Sequence, residues 1–235
     1  MKKIISLLSL SALLSLFLLT ANAQGNSTKS DEGYLSWNAQ QAMKIGESWR
    51  VKGRVGGYFD TRVFDTDKSY NYKLRATLMS PEVIRATARI EQLRSSLTND
   101  ETRNLVKEAE DEESLIVIVE IDPREGSGII PNDWRALLEP KGVDQNANRK
   151  IRGATNNELR DIKALKGVVK RDYDYDIFWV EFPLKDEKGN SFWNTVPNEI
   201  ELVVGIYNKE GRVTWKVSDA LKTRIEKIIK KEEGN

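Results

Sequence analysis

Apolar and polar residues alternate over several short stretches of this chain. From residue 70 to 78, Tyr70, Tyr72, Leu74, Ala76 and Leu78 fall on one side, and Asn71, Lys73, Arg75 and Thr77 on the other. A period of two with one apolar side marks a half-buried strand. Residues 49–55 repeat the pattern, with Trp49, Val51 and Val55 opposite Arg50, Lys52 and Arg54. They predict a strand that turns at Gly56-Gly57 into another over 58–64. Residues 115–121 are apolar on both sides, as in a central strand. A long strand is expected over 168–183, and a hairpin over 200–207 and 213–217 joined across 208–211. The alternation places Val117, Val119, Phe178, Val180, Phe182, Leu202, Val204, Ile206 and Trp215 in one core.

Helical periods lie between these strands. Ser80-Pro81 opens a helix over 81–97, since Ser caps free amides and Pro suits the first helical position. Val83, Ala86, Ile90, Leu93 and Leu97 form its apolar stripe. Thr98 and Glu101 make a capping box for a second helix, and Thr155 and Glu158 one for a third, which carries Leu159, Ile162 and Leu165 and stops at Gly167. Ser218 starts a C-terminal helix with Leu221, Ile225, Ile228 and Ile229 on one face. Residues 122–154 are rich in Gly and Pro, with Trp134, Leu137 and Leu138 suggesting a short helix packed down within them. Strands at both ends with helices inserted predict an α+β fold, built on an antiparallel sheet or β-sandwich core with a C-terminal helix.

The first residues read as an address. Lys2 and Lys3 precede an apolar run over 4–19, and Ala21-Asn22-Ala23 is a small-residue cleavage pattern. Residues 1–23 are therefore expected to be a secretory signal peptide removed before Gln24. The competing reading, a membrane anchor, is less suited to a run this short that ends in small residues. Residues 24–48 show no clear period and read as a flexible leader, leaving 49–235 as a single α+β domain. The expected location is the periplasm or the extracellular space.

Composition narrows the chemistry. The 235 residues include no Cys and no His, which removes disulfides, thiol nucleophiles, the usual general base and the commonest metal ligand. The net charge of +1 gives no overall attraction to nucleic acid, which is not an expected partner. Dinucleotide and Walker phosphate loops are absent from the sequence. Catalysis would need carboxylates or a metal held by them, so a non-enzymatic binding or scaffolding domain of the cell envelope is the leading expectation. The alternative is an exported hydrolase that uses carboxylates on glycans, with bound calcium.

The densest cluster of candidate chemistry lies in one strand. Asp172, Asp174 and Asp176 alternate with Tyr173 and Tyr175, followed by Trp179. Three carboxylates on one side suit calcium, which takes six to eight oxygens; the competing reading is a solvated strand end. Tyr173, Tyr175 and Trp179 on the other side suit stacking on a glycan or peptide; the competing reading is a helix that covers them. Asp144, Asn146 and Asn148 fit the first ligand positions of an EF-hand loop, but Arg149 stands where its Gly belongs and Thr155 where its Glu belongs. Arg50, Lys52 and Arg54, with Lys73 and Arg75, would form a basic patch if their strands were neighbours, or simply a solvated face.

Overall fold

The computed structural model describes residues 32–53, 55, 72–123, 130–144, 148–168, 175–207 and 209–230. The chain divides into two compact units, 1–36 and 37–235. In the first, the described residues form one 3-10 turn, Gly33–Ser36. The expected signal peptide, the strand over 58–64 and its Gly56-Gly57 turn lie outside the described residues.

The second unit is α+β. Among the described residues it has four α-helices, α1 (Ala39–Lys52), α2 (Pro81–Ser95), α3 (Asn99–Glu110) and α4 (Asp219–Lys230). Its strands are β1 (Tyr72–Leu78), β2 (Ser114–Pro123), β3 (Arg135–Lys141), β4 (Ile151–Arg152), β5 (Ala154–Thr155), β6 (Asp176–Pro183), β7 (Glu199–Ile206) and β8 (Lys209–Lys216). They make two antiparallel four-stranded sheets, in the orders β1-β2-β6-β5 and β4-β3-β7-β8. No helix among the described residues is long and apolar enough to cross a membrane.

The two sheets pack face to face. In the first, Val117 pairs with Val180 and Val119 with Phe178. In the second, Leu202 lies between Leu138 and Val213, and Ile200 is opposite Trp215. The inward side chains of both sheets merge into one core, which α4 joins through Leu221, Ile225 and Ile228. The core expected from alternation forms, with Phe178 as a partly buried member at its margin. The chain steps from the second sheet to the first between β4 and β5, at Gly153. A Cβ there would lie 2.5 Å from a Val180 methyl, so the crossing needs a residue without a side chain.

Helices cover the other side of the first sheet. Ile116 and Ile118 point away from the sandwich core by the alternation of β2, yet they are buried. Glu120, on the same side, is fully buried and accepts two hydrogen bonds from Arg50 of α1, at 2.7 and 2.8 Å. Arg224 of α4 ties this layer down. Its guanidinium donates to the carbonyls of Met79, Ala109, Glu112 and Ser114 at 3.1–3.4 Å. Burial opposes its charge, and the nearby Glu110 and Glu112 support it.

Several local expectations are corrected. Residues 49–52 close a helix and are not a strand. Asn38 caps α1 with a box, in which Asn38 Oδ1 accepts from the Gln41 amide and Gln41 Oε1 from the Asn38 amide. The helix thus begins inside the stretch read as a leader. Its packed face uses the small residues Ala42 and Gly46, so no apolar period marks it. Behind it, Gly53 passes so close to β1 that its carbonyl accepts from the Ala76 amide at 2.7 Å.

The expected basic patch dissolves with that strand. Arg50 pairs with Glu120, Lys73 lies 3.7 Å from Asp122, and Arg75 covers a tyrosine ring; Arg54 lies outside the described residues. In α2, Val83 and Ala86 are buried, but Ile90 is only half-buried and Leu93 is exposed; the helix ends at Ser95, so Leu97, half-buried, lies beyond it. The first half of α2 is enclosed by α1, α3, α4 and a 3-10 turn, so Ile84, Thr87 and Ala88 are buried as well.

The helix expected after Thr155 is two 3-10 turns, Glu158–Asp161 and Lys163–Leu165, split by an extended Ile162. Thr155 belongs to β5, and Asn156 Oδ1 takes the Glu158 amide instead. Trp134, Leu137 and Leu138 do not open a helix; residues from Arg135 onward form β3, with Leu138 inward. The β7–β8 turn is tighter than expected. Ile206 pairs with Lys209, and Tyr207 adopts a left-handed backbone with φ of 54°. Thr98 and Glu101 do form their capping box.

Candidate functional site at the open end of the sandwich

Strand β6 sorts its side chains by parity. Ile177 and Trp179 point toward the helices, while Asp176, Phe178, Val180 and Phe182 point toward the second sheet. Tyr175 is buried, and the Arg75 guanidinium lies 4.5 Å from its ring centroid. Trp179 is half-buried, and its indole N–H donates to the Leu165 carbonyl at 2.8 Å. Tyr175 is thus covered by Arg75 of β1, and Trp179 is tied to the 3-10 turn that ends at Leu165. Tyr173 lies outside the described residues.

The expected carboxylate cluster is represented by Asp176 alone, because Asp172 and Asp174 lie outside the described residues. Asp176 is exposed. Among the described residues, no group of three His, Cys, Asp or Glu is placed to hold a metal ion.

Asp176 instead belongs to a pocket of about 490 Å³ where β6 and β3 begin and β5 ends. Its walls come from both sheets. Phe178 supplies one ring and Trp134, just ahead of β3, the other, with centroids 5.1 Å apart and planes tilted by 59°. Both rings pack against the sandwich core and keep part of their surface outside it. A turn in which the Trp134 amide donates to the Pro131 carbonyl at 3.3 Å sets Asn132 at the rim. Thr155 and Asn157 enter from the end of β5.

The polar side chains here are uncommitted. Asn132, Thr155, Asn157 and Asp176 make no side-chain hydrogen bond or ion pair among the described residues. Asp176 is the one charged group among the described lining residues.

A second pocket, of about 250 Å³, has the opposite character. Its lining includes Glu139, Asn148, Arg149 and Lys150. Glu139 lies 2.8 Å from Lys150, with Lys141 at 3.5 Å and Arg212 at 3.8 Å. Burial alone would raise the Glu139 carboxyl, but the hydrogen bond from Lys150 and the three positive charges hold it below its ordinary value. Asn148 donates to the Asp144 carbonyl and to Thr195 Oγ1, and its Oδ1 accepts from the Thr195 amide. The stretch that resembles the start of an EF-hand loop uses Asn148 to hold residues 191–195 in place; Asn146 lies outside the described residues.

The pocket was only partly visible in the sequence. Phe178 reads as core and packs at the core's margin, while Asp176, read as a calcium ligand or a solvated strand end, stands exposed at the start of β6. Nothing in the local pattern joins them to Trp134 or Asn132, which reach the site across the gap between the sheets. Compared with known proteins, the chain matches no family model, no curated sequence and no solved structure.

Proposed function

We propose that this chain is an exported, non-enzymatic domain of the cell envelope that acts by binding a ligand in the pocket between its two sheets. The observation that carries the reading is the convergence of four uncommitted polar side chains on two partly open rings. Aromatic surface with a few convergent polar groups in a cleft of several hundred Å³ is the usual composition of a small-ligand site. Export is supported by the signal-like pattern of residues 1–23, and a binding role by a chain with no His or Cys for general-base or thiol chemistry.

The test is made on the producing cells. The mature chain should start at Gln24, and the protein should be retained on isolated envelope material. Asn132→Ala/Asn157→Ala, an exposed pair, should lose retention at an unchanged melting midpoint. A cytoplasmic product that keeps Met1, or equal retention of the double variant, would refute the proposal.

A further inference from the structure

We infer that the pocket takes a neutral saccharide, an inference that rests on the binding role proposed above. The described lining decides between ligand classes by what each can exchange with it. Asn132 and Asn157 each offer an acceptor oxygen and a two-proton donor, Thr155 offers both in one hydroxyl, and Asp176 only accepts. An anionic ligand has nothing to give Asp176 and is repelled by it. An ammonium group has donors for Asp176 but no acceptors for the two amide NH₂ groups. Adjacent hydroxyls donate and accept together, and planar amides and carboxylates can engage two of them at once. The C–H face of a sugar ring supplies apolar area for Trp134 and Phe178, whose surfaces are only partly taken up by the core. The volume of about 490 Å³ lies within the range of small-ligand sites, and the mouth lies at the end of the sandwich, where a longer chain can leave it.

The experiment is calorimetric titration of the mature chain. The neutral probes are maltohexaose, cellohexaose, mannohexaose, xylohexaose and chitohexaose, each at millimolar concentration. Polygalacturonate serves as the anionic glycan, and an uncharged Ala-Ser repeat peptide as the extended backbone. At least one neutral sugar should bind. Asn132→Ala/Asn157→Ala should weaken it by about tenfold, or about 1.4 kcal/mol, with no change in the melting midpoint. Polygalacturonate should not bind the wild type, and Asp176→Asn should raise its affinity relative to that of the neutral sugar.

If no neutral sugar binds, or if the double variant binds it equally well, the inference is overturned. If the peptide binds instead and the same variants weaken it, the saccharide class fails while the pocket's binding role stands. If no probe binds and envelope retention is also indifferent to the variants, both fail together.

Discussion

The two sides of β6 carry rings to opposite fates. Toward the helices, Tyr175 lies under Arg75 and Trp179 is tied by its N–H to the Leu165 carbonyl. Toward the second sheet, Phe178 meets Trp134 at the mouth of a pocket whose polar rim is uncommitted. Residue type does not separate the two sets, since both combine large rings with nearby polar groups. The indole N–H of Trp179 already has a partner, whereas the polar side chains around Phe178 and Trp134 have none among the described residues. A ring whose N–H is satisfied inside the protein is part of the packing, whereas rings beside unpaired amides and a carboxylate have capacity left for a ligand.

The sharpest way to break this comparison is to weigh the sites thermodynamically. Phe182 shares the inner side of β6 but is fully buried. Phe182→Ala should destabilise by about 3–5 kcal/mol, as large-to-small core changes do, measured by denaturant unfolding. Trp179, half-buried and tied, should cost less, about 2–3 kcal/mol on truncation to Ala. Trp179→Phe should cost about 1 kcal/mol for the lost hydrogen bond. If Trp179→Ala leaves stability unchanged, the helix-facing side is not structural and the contrast collapses.

A pH series sharpens the same distinction for charged groups. The Glu139 and Glu201 carboxyls would be raised by burial, but hydrogen bonds from Lys150, and from Lys141 and Arg212, hold them below the ordinary 4.5. Their stabilisation is present above pH 4.5 and is lost as pH falls through the lower folded values. Glu112 opposes this, because burial and the charge of Glu181 raise it, so it favours the fold on the acid side and loses that as pH rises past 4.5. Glu101 and Asp186 are lowered as well, by hydrogen bonds from Thr98 and from Asn190, and the Glu112 contribution changes only above pH 4.5, so the melting midpoint should fall on acidification below pH 4.5, and Glu139→Gln should flatten the fall.

The smallest effect is expected at the pocket rim. Asn132→Ala and Asn157→Ala should each change stability by no more than about 0.5 kcal/mol, as exposed positions without partners do. A larger loss in a thermal melt would show that these amides already serve the fold.

Much of the sandwich was legible because its signals are local. Alternation in β1, β6 and β7 identifies the inward residues, β2 reads as a central strand apolar on both sides, and Thr98 with Glu101 marks the start of α3. Legibility fails where small residues make a packed face, as Ala42 and Gly46 do in α1, or where a side chain competes for a helix amide, as Asn156 does. It also fails for the site. Three carboxylates and four rings within eight positions draw attention to one strand, but a pocket is assembled by the meeting of sheets. Asp176 and Trp134 are neighbours only once Gly153 has let the chain cross from one sheet to the other.

Arg224 has a kinetic consequence. Its carbonyl partners lie 110 to 145 residues earlier in the chain. Contacts of such long sequence separation carry a large loop-closure entropy and tend to form after the local ones. The guanidinium can bind only after the end of α3 and the start of β2 have brought the carbonyls together, which makes docking of α4 a late folding step. Interactions missing from the transition state act on escape from the native state. Arg224 therefore works as a latch: Arg224→Met should accelerate unfolding while leaving the refolding rate nearly unchanged.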